Sequence, residues 1–204
     1  MDRKMTGKLA LKTVGFNEMN CKHTALLAVM TALCVGIQLT PRPPNVETTS
    51  LISFLVGFLF GAGFGALVGA LTMFINGFFS SWGFAGIIMP FQMAGMALIG
   101  FTGGFYRKIL GGNPNNVASP TKVLRLEVSF LAAFLTLIYD VITNVGWALP
   151  SGVPIIVALI QGAWFTAIHI ASNVAFFGGA FFILVRIVSK LLGEGLWSSQ
   201  KEAS

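Results

Sequence analysis

Charge is what this chain has least of. Among 204 residues there are 13 Lys and Arg and 7 Asp and Glu, 10% in all, where a soluble domain carries about a quarter. No charged residue occurs between positions 51 and 106, and no Lys or Arg between Arg125 and Arg186. With 55% hydrophobic residues and a mean hydropathy of +0.80, this excludes a water-soluble domain. It predicts an all-α integral membrane protein of one domain. Cysteine is nearly absent too. Cys21 and Cys34 form no CxxC or Cys/His spacing, so neither a disulfide framework nor a metal site is expected. The Gly61-Ala-Gly63-Phe-Gly65 run lacks the Gly-Lys-Ser/Thr ending of a phosphate loop, so the chain shows no ATP-binding equipment and is expected to use no cofactor. Ser, His and Asp are present, but nothing fixes them as a triad, and no enzyme activity is expected.

The charges that remain are placed by topology. A formal charge of +6 would suit a nucleic-acid binder, but the basic residues lie at the ends of apolar segments, which is the positive-inside pattern of a membrane protein. Arg3, Lys4, Lys8, Lys12 and Lys22 make residues 1–22 a basic cytosolic segment. Arg107-Lys108, Lys122-Arg125 and Arg186-Lys190 mark further cytosolic ends, and 191–204 a cytosolic tail. No small-residue cleavage motif follows the first apolar run, which ends in Gln38-Leu39-Thr40-Pro41, so 24–39 is expected to be a retained helix. Clear spans are 24–39, 84–106, 123–149 and 156–187. An even number of crossings must separate Lys22 from Arg107, so the run 50–79 must cross twice, as 50–61 and 63–78, turning near Gly61–Gly65. The expectation is six transmembrane helices in the cell membrane with both termini cytosolic. One long kinked helix over 50–79 would give five crossings and place Arg107, Lys108, Lys122 and Arg125 outside, against the rule.

Within the apolar second half, Asp140 stands well inside a hydrophobic segment. A carboxylate there is costly in hydrocarbon and should face protein, water or a ligand. Thr143, Asn144 and Trp147 follow at offsets of three, four and seven, on one helical face. Trp82, Gln92 and Gln161 fall at similar depth toward the outer half. Each tryptophan alone reads as an interfacial anchor; together with the amides and Asp140 they read as the lining of a small-molecule pocket. The outer loop 40–49 holds three prolines, which stiffen it, and brings Asn45 and Glu47 to the same end. It is expected to close over a ligand; as a plain connector it would hold an internal Arg42–Glu47 pair. The candidate ligand-binding residues are therefore Asn45, Glu47, Trp82, Gln92, Asp140, Asn144, Trp147 and Gln161. His169 and Asn173, one turn apart, are expected to form interhelical hydrogen bonds, and a proton relay through Asp140 and His169 is an alternative. Ala28-Val-Met-Thr-Ala32, flanked by Ala25 and Gly36, offers a smooth face for another helix.

A basic start, a short first helix with A-x-x-x-A, a Pro-rich outer loop and two short Gly-rich helices together resemble the substrate-binding S-component of an energy-coupling factor (ECF) vitamin transporter, over roughly residues 22–190. Pro44-Asn45-Val46-Glu47-Thr48-Thr49 and Phe60-Gly61-Ala-Gly63-Phe-Gly65-Ala-Leu-Val-Gly69 are similar to members assigned to cobalamin uptake. Those often have Gly-Pro at Gly61-Ala62 and Trp-Gln at Phe91-Gln92. The resemblance implies a subunit that captures a vitamin, cobalamin or a related corrinoid, from outside. It also implies partners: a transmembrane coupling subunit docking on Ala28 and Ala32, and two ATPase subunits. It implies a lid over 41–49. The competing expectation is a stand-alone proton-coupled secondary transporter of a small metabolite.

Overall fold

The computed structural model describes residues 21–80, 83–111, 117 and 120–192. The basic segment 1–20, the tail from 193 and Trp82 lie outside the described residues. Those described form six α-helices and no strand: α1 Cys21–Leu39, α2 Thr49–Phe60, α3 Ala62–Phe79, α4 Met89–Ile109, α5 Lys122–Ser151 and α6 Ile155–Leu192. Four stretches are long and apolar enough to cross a membrane: Ala62–Phe79, Gly86–Ile109, Lys122–Ser151 and Ile155–Lys190; α1 and α2 are shorter apolar helices. The protein is a membrane protein by its surface as well. Phe130, Val123 and Ile160 are 75%, 73% and 68% exposed, an arrangement that hydrocarbon accepts and water does not.

The run 50–79 is two helices. Gly61 separates them with φ 111, a left-sided backbone that costs glycine little and other residues much. Its N–H still bonds the Gly57 carbonyl at 2.9 Å, so the break is a tight reversal. Both helices then pack on α4 through glycine. A Cβ at Gly57 would strike the Gly100 carbonyl, one at Gly65 would strike Gly57 and Gly100, and one at Gly104 would strike Ala62. Backbones meet directly at this seam, the close approach small residues permit between membrane helices. Pairing of Gly100 with Gly65, Met96 with Gly69 and Met89 with Gly77 shows that α3 and α4 run antiparallel. Ser50 with Met96 and Phe58 with Tyr106 show that α2 and α4 run in the same direction.

The core lies between this three-helix layer and the α5–α6 pair. Phe54, Phe58, Phe177 and Phe181 are almost fully buried and meet mostly edge to face, with centroids 5.2–5.6 Å apart, the favoured aromatic geometry. On the other side α1 rests on α2 and α3 through Cys34, Val56 and Val68. Helix α5 begins where the Thr121 hydroxyl accepts the Leu124 N–H at 3.2 Å and ends at Gly152, left-handed at φ 66; these are ordinary N- and C-terminal caps.

The chain ends its helices in two groups. Arg107 donates to the Leu59 carbonyl at 3.0 Å, and Arg125 lies 6.0 Å over the Phe182 ring. The Gly61 reversal, the basic end of α4, the start of α5 and the end of α6 thus share one side of the molecule. The loop 40–48, the segment 83–88, the end of α5 and the start of α6 gather at the opposite side, around a cavity.

Candidate functional site

That cavity has a volume of about 820 Å³, and its wall is drawn from seven parts of the chain, α1 at Gln38 and α3 at Met73 and Asn76 among them. The loop after α1 contributes Arg42, Asn45 and Glu47; the connection into α4 contributes Phe84 and Ile88; α4 contributes Gln92 and Met96. Helix α5 supplies Tyr139, Asp140, Thr143, Asn144 and Trp147, and α6 supplies Phe165, Thr166 and His169. Four aromatic rings and a few convergent polar groups are the usual composition of a small-molecule site, and the size lies in the range of such sites.

At its inner wall three buried side chains form a chain of hydrogen bonds. His169 Nδ1 lies 2.8 Å from Asp140 Oδ1, and His169 Nε2 lies 3.3 Å from Glu47 Oε1. Both ring nitrogens face carboxylates, which accept only, so the imidazole satisfies both as the doubly protonated cation. Tyr139 meets the His169 ring edge-on at 5.8 Å. Glu47 is bound further by the Thr49 N–H at 2.5 Å, the Ser50 N–H at 3.1 Å and the Ser50 hydroxyl at 2.5 Å. Its carboxylate thus sits on the first N–H groups of α2, where the helix dipole favours negative charge. Burial pushes the Glu47 pKa up, but the hydrogen bond and charge of His169 and the hydrogen bonds from Ser50 outweigh it and hold the group at about 2. The result is a loop carboxylate tied to α2, to α6 and, through His169, to α5.

The other loop residues are anchored as well. Asn45, at φ 59, a conformation Asn tolerates better than most residues, donates its side-chain amide to the Phe165 carbonyl at 3.1 Å. Its own carbonyl accepts the Ser172 hydroxyl at 3.1 Å. Arg42 donates to the Val46 carbonyl at 3.0 Å and to the Gln38 side chain. Among the described residues Arg42 and Glu47 form no ion pair; the carboxylate is taken by His169 instead, which corrects the internal pair considered from the sequence.

Of the residues singled out from the sequence, Asn45, Glu47, Gln92, Asp140, Asn144 and Trp147 all line the cavity. Gln161 does not: it is exposed and its neighbour Gly162 faces the cavity instead. Trp82 lies outside the described residues. Thr143 and Asn144 both bond back to the Asp140 carbonyl, at 3.1 and 2.7 Å, which fixes their side chains along the wall. Asn173 donates to Thr136 at 3.1 Å, the interhelical bond expected of it. His169 makes the interhelical bond expected of it, to Asp140; what sequence reasoning missed is its second bond, to Glu47. Also missed were Arg42, Tyr139 and Phe165, and the glycines behind the wall. A Cβ at Gly162 would come 2.6 Å from Asn144 Oδ1, and one at Gly95 would come 2.7 Å from the Tyr139 ring. These two positions set how far the polar wall can retreat. A sequence signal existed for Gly162, adjacent to Gln161; none existed for Gly95.

Among the described residues no group of three or more His, Cys, Asp or Glu is arranged to hold a metal ion. Glu47, His169 and Asp140 are spent on one another. What stays unused at the wall is specific: Asp140 Oδ2, Gln92 Oε1 and Arg42 Nε are buried and without a hydrogen-bond partner. Fold and site together define a helical membrane protein with a polar-walled, aromatic-lined cavity at one end. Comparison with protein-family models, with curated proteins and with solved structures finds no match to this chain.

Proposed function

We propose that this protein is the substrate-capture subunit of an ATP-driven importer of the ECF type, taking a vitamin-class micronutrient from outside the cytoplasmic membrane. The observation that carries the reading is the 820 Å³ cavity at the end opposite the basic residues, roofed by a loop whose carboxylate is bonded into its wall. In this reading all six helices cross the membrane, both termini are cytosolic, and Arg107, Lys108, Lys122, Arg125, Arg186 and Lys190 face the cytosol. The exposed face of α1, with Ala28 and Ala32 both uncovered, receives the transmembrane coupling subunit, and two ATPase subunits supply the energy. The corrinoid implied by the sequence resemblance is larger than the drug-sized molecules such a volume encloses. It would seat only its amide-bearing edge in the cavity, the rest of the molecule lying outside the mouth. The deciding experiment is uptake of labelled cobalamin by cells or proteoliposomes with and without the coupling and ATPase subunits. Uptake that requires all of them and ATP is the expected result; uptake by this chain alone removes the reading.

One observation favours a second reading. The Glu47–His169–Asp140 chain spans from the loop into the helix pair, and such buried ionisable chains serve proton-coupled transport in membranes. A stand-alone transporter would move substrate when a proton gradient is imposed with no other subunit present.

A further inference from the structure

Resting on the capture reading, the geometry points to a more specific ligand chemistry: the cavity selects an uncharged group rich in carboxamide or amino N–H donors and rejects the corresponding carboxylate. The wall's charges balance among themselves. Arg42 and the His169 cation stand against Glu47 and Asp140, so no net charge is left for an ionic ligand to neutralise. The unmet hydrogen bonds then state what is wanted. Asp140, only 5% exposed, keeps Oδ2 without a partner, and so does Gln92 at Oε1. Both are acceptors and both residues line the cavity. Arg42 Nε is a donor left over, the two terminal nitrogens donating to Val46 and Gln38.

A carboxamide answers both demands. Carboxamide N–H groups match the acceptors of Asp140 and Gln92, and a carboxamide carbonyl matches the donor of Arg42, once those side chains turn to a ligand. Of the three unmet atoms a carboxylate answers only Arg42, and it brings a second negative charge beside a buried Asp140, where repulsion is weakly screened. Leaving a buried polar acceptor unmet is costly, which is why sites built to hydrogen-bond a donor discriminate strongly against analogues without it. The aromatic faces of Tyr139 and Trp147 supply apolar contact to the rest of the ligand and do not select for charge.

The test uses the full chain purified in detergent and two matched pairs: cyanocobalamin against its monocarboxylic acids, in which one peripheral amide is hydrolysed, and biotinamide against biotin. Isothermal titration should show the amide member of at least one pair binding tenfold or more tightly than its acid. Asp140→Asn, which can donate to a carboxylate, should bring that preference below about threefold. If Asp140→Asn does not fold, Gln92→Leu removes an unmet acceptor without touching the His169 chain and should weaken the amide member about tenfold while leaving the acid unchanged. An acid that binds as tightly as its amide, or failure of both amides to bind at millimolar concentration, overturns the inference. Partner-dependent, ATP-driven uptake of an acid member would overturn it while leaving the capture reading standing. Amide preference with uptake by this chain alone would do the reverse.

Discussion

His169 is the residue on which the cavity's inner wall depends. It compensates two buried carboxylates from two different parts of the chain. Removing one partner of a buried ionic arrangement leaves uncompensated charge and costs about 3–5 kcal/mol. His169→Ala is therefore expected to lower thermal stability in detergent by that order, and to do so even without ligand; an unchanged melting temperature would mean the chain of bonds contributes nothing. Glu47 gives the same arrangement a pH dependence. Its folded pKa, about 2, lies below its ordinary 4.5. Stability from the ionised group is then complete above pH 4.5 and is lost as pH falls toward 2. The parent's margin over Glu47→Gln should be constant from pH 7 to 5 and close between pH 4.5 and 2, as followed by thermal unfolding at each pH. Asp140→Asn should weaken binding of the transported ligand ten- to a hundredfold, the loss of a hydrogen bond to a charged group worth about 1.5–3 kcal/mol, measured by titration.

At the scale of the helix, glycine decides what packs and what is left open. Gly100→Ala would drive a methyl into the Gly65 backbone. The seam cannot yield by rotating a side chain, so a loss of about 1–3 kcal/mol or more is expected. Gly179→Ala meets nothing within 4 Å and should be neutral or slightly stabilising through helix propensity; the pair of melting temperatures checks the contrast. On α1 the small face is open instead, with Ala25, Ala28, Ala32 and Gly36 all exposed. Ala28→Trp or Ala32→Trp should abolish partner-dependent uptake and leave ligand titration unchanged; uptake surviving either change would make the face ordinary lipid contact. Much at this scale was legible in the sequence, because apolar runs, charges and helix breakers act locally. The reversal in 50–79 follows from Gly61 and from charge parity, and the Asp140–Thr143–Asn144–Trp147 stripe follows from helical period. What the sequence could not supply was the third dimension. Glu47 and His169 are 122 positions apart, and nothing in either segment announces the other. Gln161 has the right depth but the wrong azimuth, which is fixed by how α6 packs on α5 through Asn144 and Gly162.

For the molecule as a whole the two ends differ in kind. One gathers the basic ends of α4, α5 and α6, the other the loop 40–48 and the cavity. Cysteine placed at Ser151, exposed at the cavity end, should react with an impermeant maleimide from outside intact cells, and cysteine at Lys122, exposed at the opposite end, should not. The native Cys21, exposed as well, is replaced by Ser in both. Labelling of both sites, or of Lys122 alone, would reverse or break the proposed topology. The lengths bear on the same point: α6, at 38 residues, measures roughly 57 Å against a hydrocarbon core of about 30 Å. It must tilt or extend into water at an end, and its last turns carry Arg186 and Lys190, as an extension on the cytosolic side would.

The glycine seam bears on ancestry. Because Gly57, Gly65 and Gly100 meet backbone and not side chains, no compensating change at a neighbouring position can make room for a larger residue there. The lipid-facing positions, by contrast, ask only for hydrophobicity and can drift freely. Kinship to this protein would therefore survive in the spacing of a few small residues on its second, third and fourth helices long after overall identity had faded. A distant relative is to be recognised by that sparse pattern, joined to a carboxylate two residues ahead of the second helix and a histidine in the sixth.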